Sequence, residues 1–139
     1  MYKYRATILN VVNANTVEAR IDLGFDINIQ EKLKLSGINV PDSHSYSQRE
    51  RKTSLKVSKI LSNTLKGKTV YIDVKKIKDS PTINYSAVIY KEKDSEVSYN
   101  QQMIKLGLAR ENYKGQHLDW TSDEIKTLID NTRQIQSLD

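Results

Sequence analysis

The sequence predicts an α+β domain, a five-stranded Greek-key barrel of the OB type with about three helices, on the order of its strand and helix signals. Three consecutive strand-like segments come first, one amphipathic helix follows, and two more strands precede the remaining helices. At 139 residues the chain has the size of one domain able to bury roughly two-thirds of its unfolded surface. A single domain over residues 1–139 is therefore expected, without repeats or linkers.

From Tyr2 to Val12 the chain is rich in aromatic and β-branched residues, and Asn13-Ala14-Asn15 breaks it before alternation resumes from Thr16 to Leu23. That reads as a β-hairpin. After a turn at Gly24, the residues Ile27, Ile29, Leu33 and Leu35 make a third strand ending near Gly37, with a phase change or bulge expected around Glu31 and Lys32. Short turns between the three imply antiparallel pairing. Pro41-Asp42-Ser43 opens a polar loop, after which Leu55, Val57, Ile60, Leu61 and Leu65 recur at helical spacing. A helix over roughly Ser47 to Lys66 follows, with Gly67 as its stop. Lys68 to Ile77 and Ile83 to Tyr90 are the fourth and fifth strands, parted by the turn residues from Lys78 to Thr82. A short helix spans approximately Asn100 to Leu106, with Gly107 just past its end. The last helix, about 121–136, opens on a capping box of Thr121 and Glu124. It packs Ile125, Leu128, Ile129, Thr132 and Ile135 on the barrel, and Trp120 anchors it there.

Composition narrows the function classes. No apolar run approaches the ~20 residues needed to cross a bilayer, and the start lacks the features of a signal peptide. No membrane partner is expected, and the mature chain is expected to begin at Met1 or close to it. Without cysteine there is no disulfide framework, thiolate metal site or cysteine nucleophile, which favours the cytoplasm. A formal charge of +5 and a pI near 9.3 suit a polyanionic partner through counterion release. Most of the excess is lysine, which meets phosphate as a point charge, whereas arginine grips it at two points. Charge alone does not decide the partner.

The motifs are more specific. Leu33-Lys34-Leu35-Ser36-Gly37-Ile38-Asn39-Val40-Pro41-Asp42 follows Asn13-Ala14-Asn15-Thr16, and Ala87-Val88-Ile89-Tyr90 and Gly107-Leu108-Ala109-Arg110 come later. In that order the four segments resemble the "VRLxGIDAPE", "DGDT", "AxVY" and "GLAK" or "GLAR" segments of the staphylococcal nuclease (thermonuclease) family. The resemblance covers about Tyr4 to Tyr113. It implies a fold of the same OB type and a phosphodiesterase site in which two aspartates hold one calcium ion, a glutamate serves the attacking water, and two arginines clamp the phosphate.

The sequence departs from that pattern at each of these places. Asn15 and Asn39 stand for the aspartates, Asp42 for the glutamate, Lys34 for the first arginine and Asn84 for the second. A hard divalent cation wants anionic oxygens, and an asparagine offers one neutral carbonyl. At an effective dielectric of roughly 20, each pair of unit charges at contact is worth about 4 kcal/mol. Losing two carboxylates therefore predicts a lost calcium site, with no cofactor and no metal ligands. Asp42 is one methylene shorter than glutamate, and a misplacement of about 1 Å can cost roughly a hundredfold in rate. No arginine occurs between Arg51 and Arg110 to replace the second clamp.

The expected function is that of a catalytically inactive, nuclease-like binding module for nucleic acid, single-stranded in particular, or for a protein partner. The cleft candidates for nucleic acid are Lys34, Tyr85, Arg110 and Tyr113, with Arg49, Lys52 and Lys56 on the first helix, whose charges are otherwise an ordinary solvated face. Two rival readings remain: an inhibitor or decoy of a phage or mobile element acting by protein contact, and a weak metal-dependent phosphodiesterase with rearranged ligands. Asp22 and Asp26 are expected to bond to turn amides, and His44 and His117 to sit solvated on the surface.

Overall fold

A computed structural model of the chain describes residues 2–78, 80–112 and 119–139. The expected hairpin forms from β1 (Tyr4–Asn13) and β2 (Thr16–Asp22), antiparallel around the Asn13–Asn15 turn. β3 (Asn28–Leu35) continues on β2 in unbroken register from Thr16↔Lys34 to Asp22↔Asn28, so the bulge expected around Glu31 and Lys32 is absent. Ile29, Glu31, Leu33 and Leu35 share one face of the strand, as residues two apart must. What changes along it is depth: Leu33 is fully buried inside the barrel, whereas Ile29 is 37 % exposed at its rim. The irregularities lie in β1, between Ile8 and Asn10 and between Val11 and Asn13. They bend a long strand that must pair with two neighbours.

Gly37 then turns the chain with a φ of 75° into a two-residue strand, β4 (Ile38–Asn39). Helix α1 (Gln48–Leu65) starts on the Ser47 side chain, which accepts from the Glu50 amide. β5 (Thr69–Lys76) and β6 (Tyr85–Tyr90) complete a closed barrel in the order β1-β2-β3-β6-β5, with β3 and β6 parallel and the other pairs antiparallel. Inside it Ile8, Val17, Leu33, Val70, Ile72 and Ile89 make up the centre of the core, and α1 adds Val57, Leu61 and Leu65 where it packs on β1. This is the predicted OB-type barrel.

Helix α2 (Tyr99–Lys105) begins with a capping box of Ser98 and Gln101 and ends at Gly107, whose φ of 74° lets the Leu108 amide reach back to Met103 O. A side chain at Gly107 would run into Asn131, whose amide donates to Gly107 O. β7 (Arg110–Glu111) pairs antiparallel with β4 in a small second sheet. Helix α3 (Ser122–Gln134) opens on the expected Thr121–Glu124 capping box. Its main contact is with α1, which itself packs on β1. Leu128 on its apolar face belongs to the core, and Ile135 just past its end packs against it. Among the described residues no helix is long and apolar enough to cross a membrane.

Asn100 joins these parts. It is 4 % exposed, its Oδ1 accepts from the Ile89 amide at 3.0 Å, and its Nδ2 donates to Ser36 O at 2.9 Å and Ala87 O at 3.1 Å. One acceptor and two donors meet one amide and two carbonyls, a match only a carboxamide provides. Asn100→Ala would leave the Ile89 amide and Ser36 O without the carboxamide, while Ala87 O keeps its bond from Ser36 N, and is expected to cost about 3 kcal/mol in urea denaturation.

After α3 the chain is tied back to the rest. Leu138 N donates to Thr64 Oγ1 at 2.8 Å, and the Asp139 carboxylate accepts from Tyr99 Oη at 2.9 Å and Lys68 Nζ at 3.0 Å, with Lys91 at 3.7 Å. Burial pushes the Asp139 carboxyl up, but the bonds from Lys68 and Tyr99 and the charges of Lys68 and Lys91 outweigh it and hold the pKa below its ordinary value. A lowered carboxyl stabilises the fold above its unfolded-state pKa, and that contribution disappears as pH falls through the folded value. Asp139→Asn is expected to cost about 1 kcal/mol at neutral pH. The gap to the wild type should close as pH drops below the ordinary carboxylate range, read by denaturation across a pH series.

Candidate functional site

The hairpin turn, the end of β3, β4 and the loop leading to α1 enclose a cleft of about 230 Å³. Each wall is fixed locally. Asn13 Oδ1 accepts from the Asn15 amide at 3.0 Å, an Asx turn, and Asn15 Oδ1 accepts from Thr16 Oγ1 at 3.0 Å. Asn15 O in turn accepts from Leu35 N at 2.7 Å, clipping the turn to β3. Asn39 is held in β4 by its pairing with Arg110, and Asn112 N donates to Gly37 O at 3.0 Å across the same small sheet.

The loop after β4 is braced by α1. Asp42 Oδ1 accepts from His44 N at 2.8 Å, while Asp42 N donates to Glu50 Oε2 at 2.9 Å. Arg51 Nη1 donates to Ser45 O at 2.6 Å, so that guanidinium belongs to the loop. Lys34 points outward from β3 into the cleft. Strand register places Ser86 beside Lys34 and Lys75 beside Ser86, giving a lateral row with a cation at each end.

Among the described residues, the lining holds one carboxylate, Asp42, one lysine, Lys34, and the four asparagines 13, 15, 39 and 112. Asn112 Oδ1 is buried with no hydrogen-bond partner among the described residues. No group of three or more His, Cys, Asp or Glu side chains among them is arranged to hold a metal ion.

The profile of the staphylococcal nuclease homologue family matches residues 32–136. The chain belongs to that family. A search of curated proteins found no match.

The family's site positions, carried onto this chain by the motifs above, do not all converge. Asn15, Lys34, Asn39 and Asp42 share the cleft. Asn84 is not among its lining residues; it is exposed, and its carbonyl accepts from Ile77 N at 2.8 Å to close the β5–β6 loop. Tyr85 takes the inward parity of Ala87 and Ile89 and lines a separate apolar recess at the barrel rim. The Arg110 guanidinium lies 3.8 Å over the Trp120 ring and 2.9 Å from Glu124, in a recess shared with α3. The side chains of Tyr85 and Arg110 thus line other recesses and not the cleft that the sequence assigned them to, although Arg110 pairs with Asn39 through its backbone. Trp120 packs against the core as expected, with Arg110 above it.

The Glu124 carboxyl is held below its ordinary value, first by the Thr121 amide of the capping box and then by Arg110. Tyr113 and His117 lie outside the described residues. Arg49, Lys52 and Lys56 are exposed on α1, as a solvated helix face requires. Asp22 Oδ1 accepts from Gly24 N, the expected turn bond, and its other oxygen meets Arg5 at 2.8 Å. His44 is exposed but lines the cleft. Asn112 and Glu50 are site residues that the sequence did not single out. For Asn112 the one available signal is its place two residues beyond the Gly107–Arg110 motif.

Proposed function

We propose that this member of the staphylococcal nuclease family binds single-stranded nucleic acid in the amide-lined cleft without cutting it. The observation that carries this reading is the set of polar side chains in the lining: four asparagines, two serines, His44, one lysine and a single carboxylate. Calcium takes about six to eight oxygens, several of them anionic, and these residues do not fit it. The oxygens of Asn13 and Asn15 already accept bonds within their own turn, and one Asp42 oxygen accepts from His44 N. A lining that does not fit the metal and holds no arginine is poor in groups that stabilise a phosphorane-like transition state more than the ground state.

The same inventory suits a bound nucleotide. Lys34, with Lys75 along the row, attracts phosphate. Carboxamides donate to phosphate or base oxygens through nitrogen and accept from base amino groups through oxygen. The unmatched Asn112 Oδ1 calls for such a donor, since a buried carbonyl ordinarily finds one. A weak phosphodiesterase with rearranged ligands is the rival reading. One contact favours it: Glu50, bonded to the Asp42 amide, brings a second carboxylate near.

Binding of a labelled single-stranded oligonucleotide, followed by fluorescence anisotropy at several salt concentrations, tests the proposal. The association constant is expected to fall steeply with salt, and Lys34→Ala to weaken binding and flatten the log–log slope by roughly 0.7, the share of one phosphate. Absence of binding at low salt would contradict it.

A further inference from the structure

The β2–β3 turn presents a phenylalanine that the fold does not use. Phe25 is 99 % exposed, flanked by Leu23 and Ile27, which are also exposed. The turn is closed by Ile27 N donating to Gly24 O at 2.9 Å, and both of its central residues are left-handed, Phe25 with φ 54° and Asp26 with φ 62°. Such turns favour Asn, Asp and Gly, because a Cβ is strained there. A bulky aromatic residue in that conformation and in full contact with water costs the monomer stability and adds nothing to its core.

Beside the turn lies a hole. Tyr4, Leu23, Ile29, Val74, Lys76 and Tyr85 line a recess of about 250 Å³ at the barrel rim, and the Tyr2 ring extends the apolar surface by meeting Tyr4 edge-on at 4.7 Å between centroids. Benzene fits a cavity of roughly 150 Å³, so the recess has room for a phenyl ring. Charge is complementary as well: Asp26 follows Phe25, Lys76 lines the recess, and neither has a hydrogen bond or ion pair among the described residues.

We propose that this rim is a self-association surface, in which Phe25 of one copy enters the recess of a second while Asp26 faces Lys76 of the partner subunit. Leu23 lines the recess only two residues from Phe25, so knob and hole lie side by side. Side by side, they permit reciprocal insertion about a two-fold axis, and a reciprocal contact closes at two copies instead of growing into a chain. The inference is independent of the proposed cleft function, because the recess shares no lining residue with the cleft.

Sedimentation velocity of the full chain over a concentration series tests it. The wild type is expected to show a reversible monomer–dimer equilibrium. Phe25→Asn keeps a residue that accepts the left-handed turn, so its thermal midpoint should be unchanged or higher while dimerisation weakens by roughly tenfold or more. Lys76→Glu, which sets two acids opposite each other, should weaken the dimer too. A wild type that stays monomeric throughout, association that continues past two copies, or a Phe25→Asn protein that pairs as the wild type does would each overturn the proposal.

Discussion

One buried carboxamide governs the geometry of the cleft. Asn100 holds Ser36 O, Ala87 O and Ile89 N together. Ser36 lies between Lys34 on β3 and Asn39 on β4, so the two sides of the site diverge from a point that α2 and β6 fix. Ser36 N bonds to Ala87 O as well, which makes this the place where the parallel β3–β6 pairing ends and the chain leaves the barrel. β4 then leans on β7, which follows α2 directly. The position of the cleft's far wall is thus set from the C-terminal half of the chain, through α2 and the strand after it.

The barrel was largely legible because its signals are periodic. Alternation from Thr16 to Leu23 and helical spacing from Leu55 to Leu65 are each imposed by a repeated geometry, and Thr121 with Glu124 marks a helix start by side chains that must bond reciprocally. Features without a period escaped. β4 and β7 are two residues each, too short to alternate. Asn100 looks in sequence like any polar residue at a helix start, and only burial reveals that it has three partners. No bulge forms around Glu31 and Lys32, because a charged residue near an open barrel rim keeps its inward parity at little cost.

Of the site, the turn asparagines, Lys34, Asn39 and Asp42 were legible from motif order, and they do meet around one cleft. Tyr85 was misassigned although its parity with Ala87 and Ile89 already pointed it inward. Arg110 could not have been placed from sequence: its side chain is claimed by Trp120 and Glu124, ten and fourteen residues away across segments with no shared period. The asparagines also have a structural use that is independent of any ligand. Asn13 and Asn15 satisfy the amide and hydroxyl of their own turn, so neutral side chains keep the hairpin closed without a counter-ion.

The reading proposed for the cleft, carboxamides and Lys34 holding a nucleotide and no divalent cation, is open to calorimetric titration of calcium into the purified protein, paired with digestion of single-stranded DNA with and without chelator. No calcium heat and no chelator-sensitive cutting are expected; saturable calcium binding accompanied by cutting that chelator abolishes would contradict the proposal.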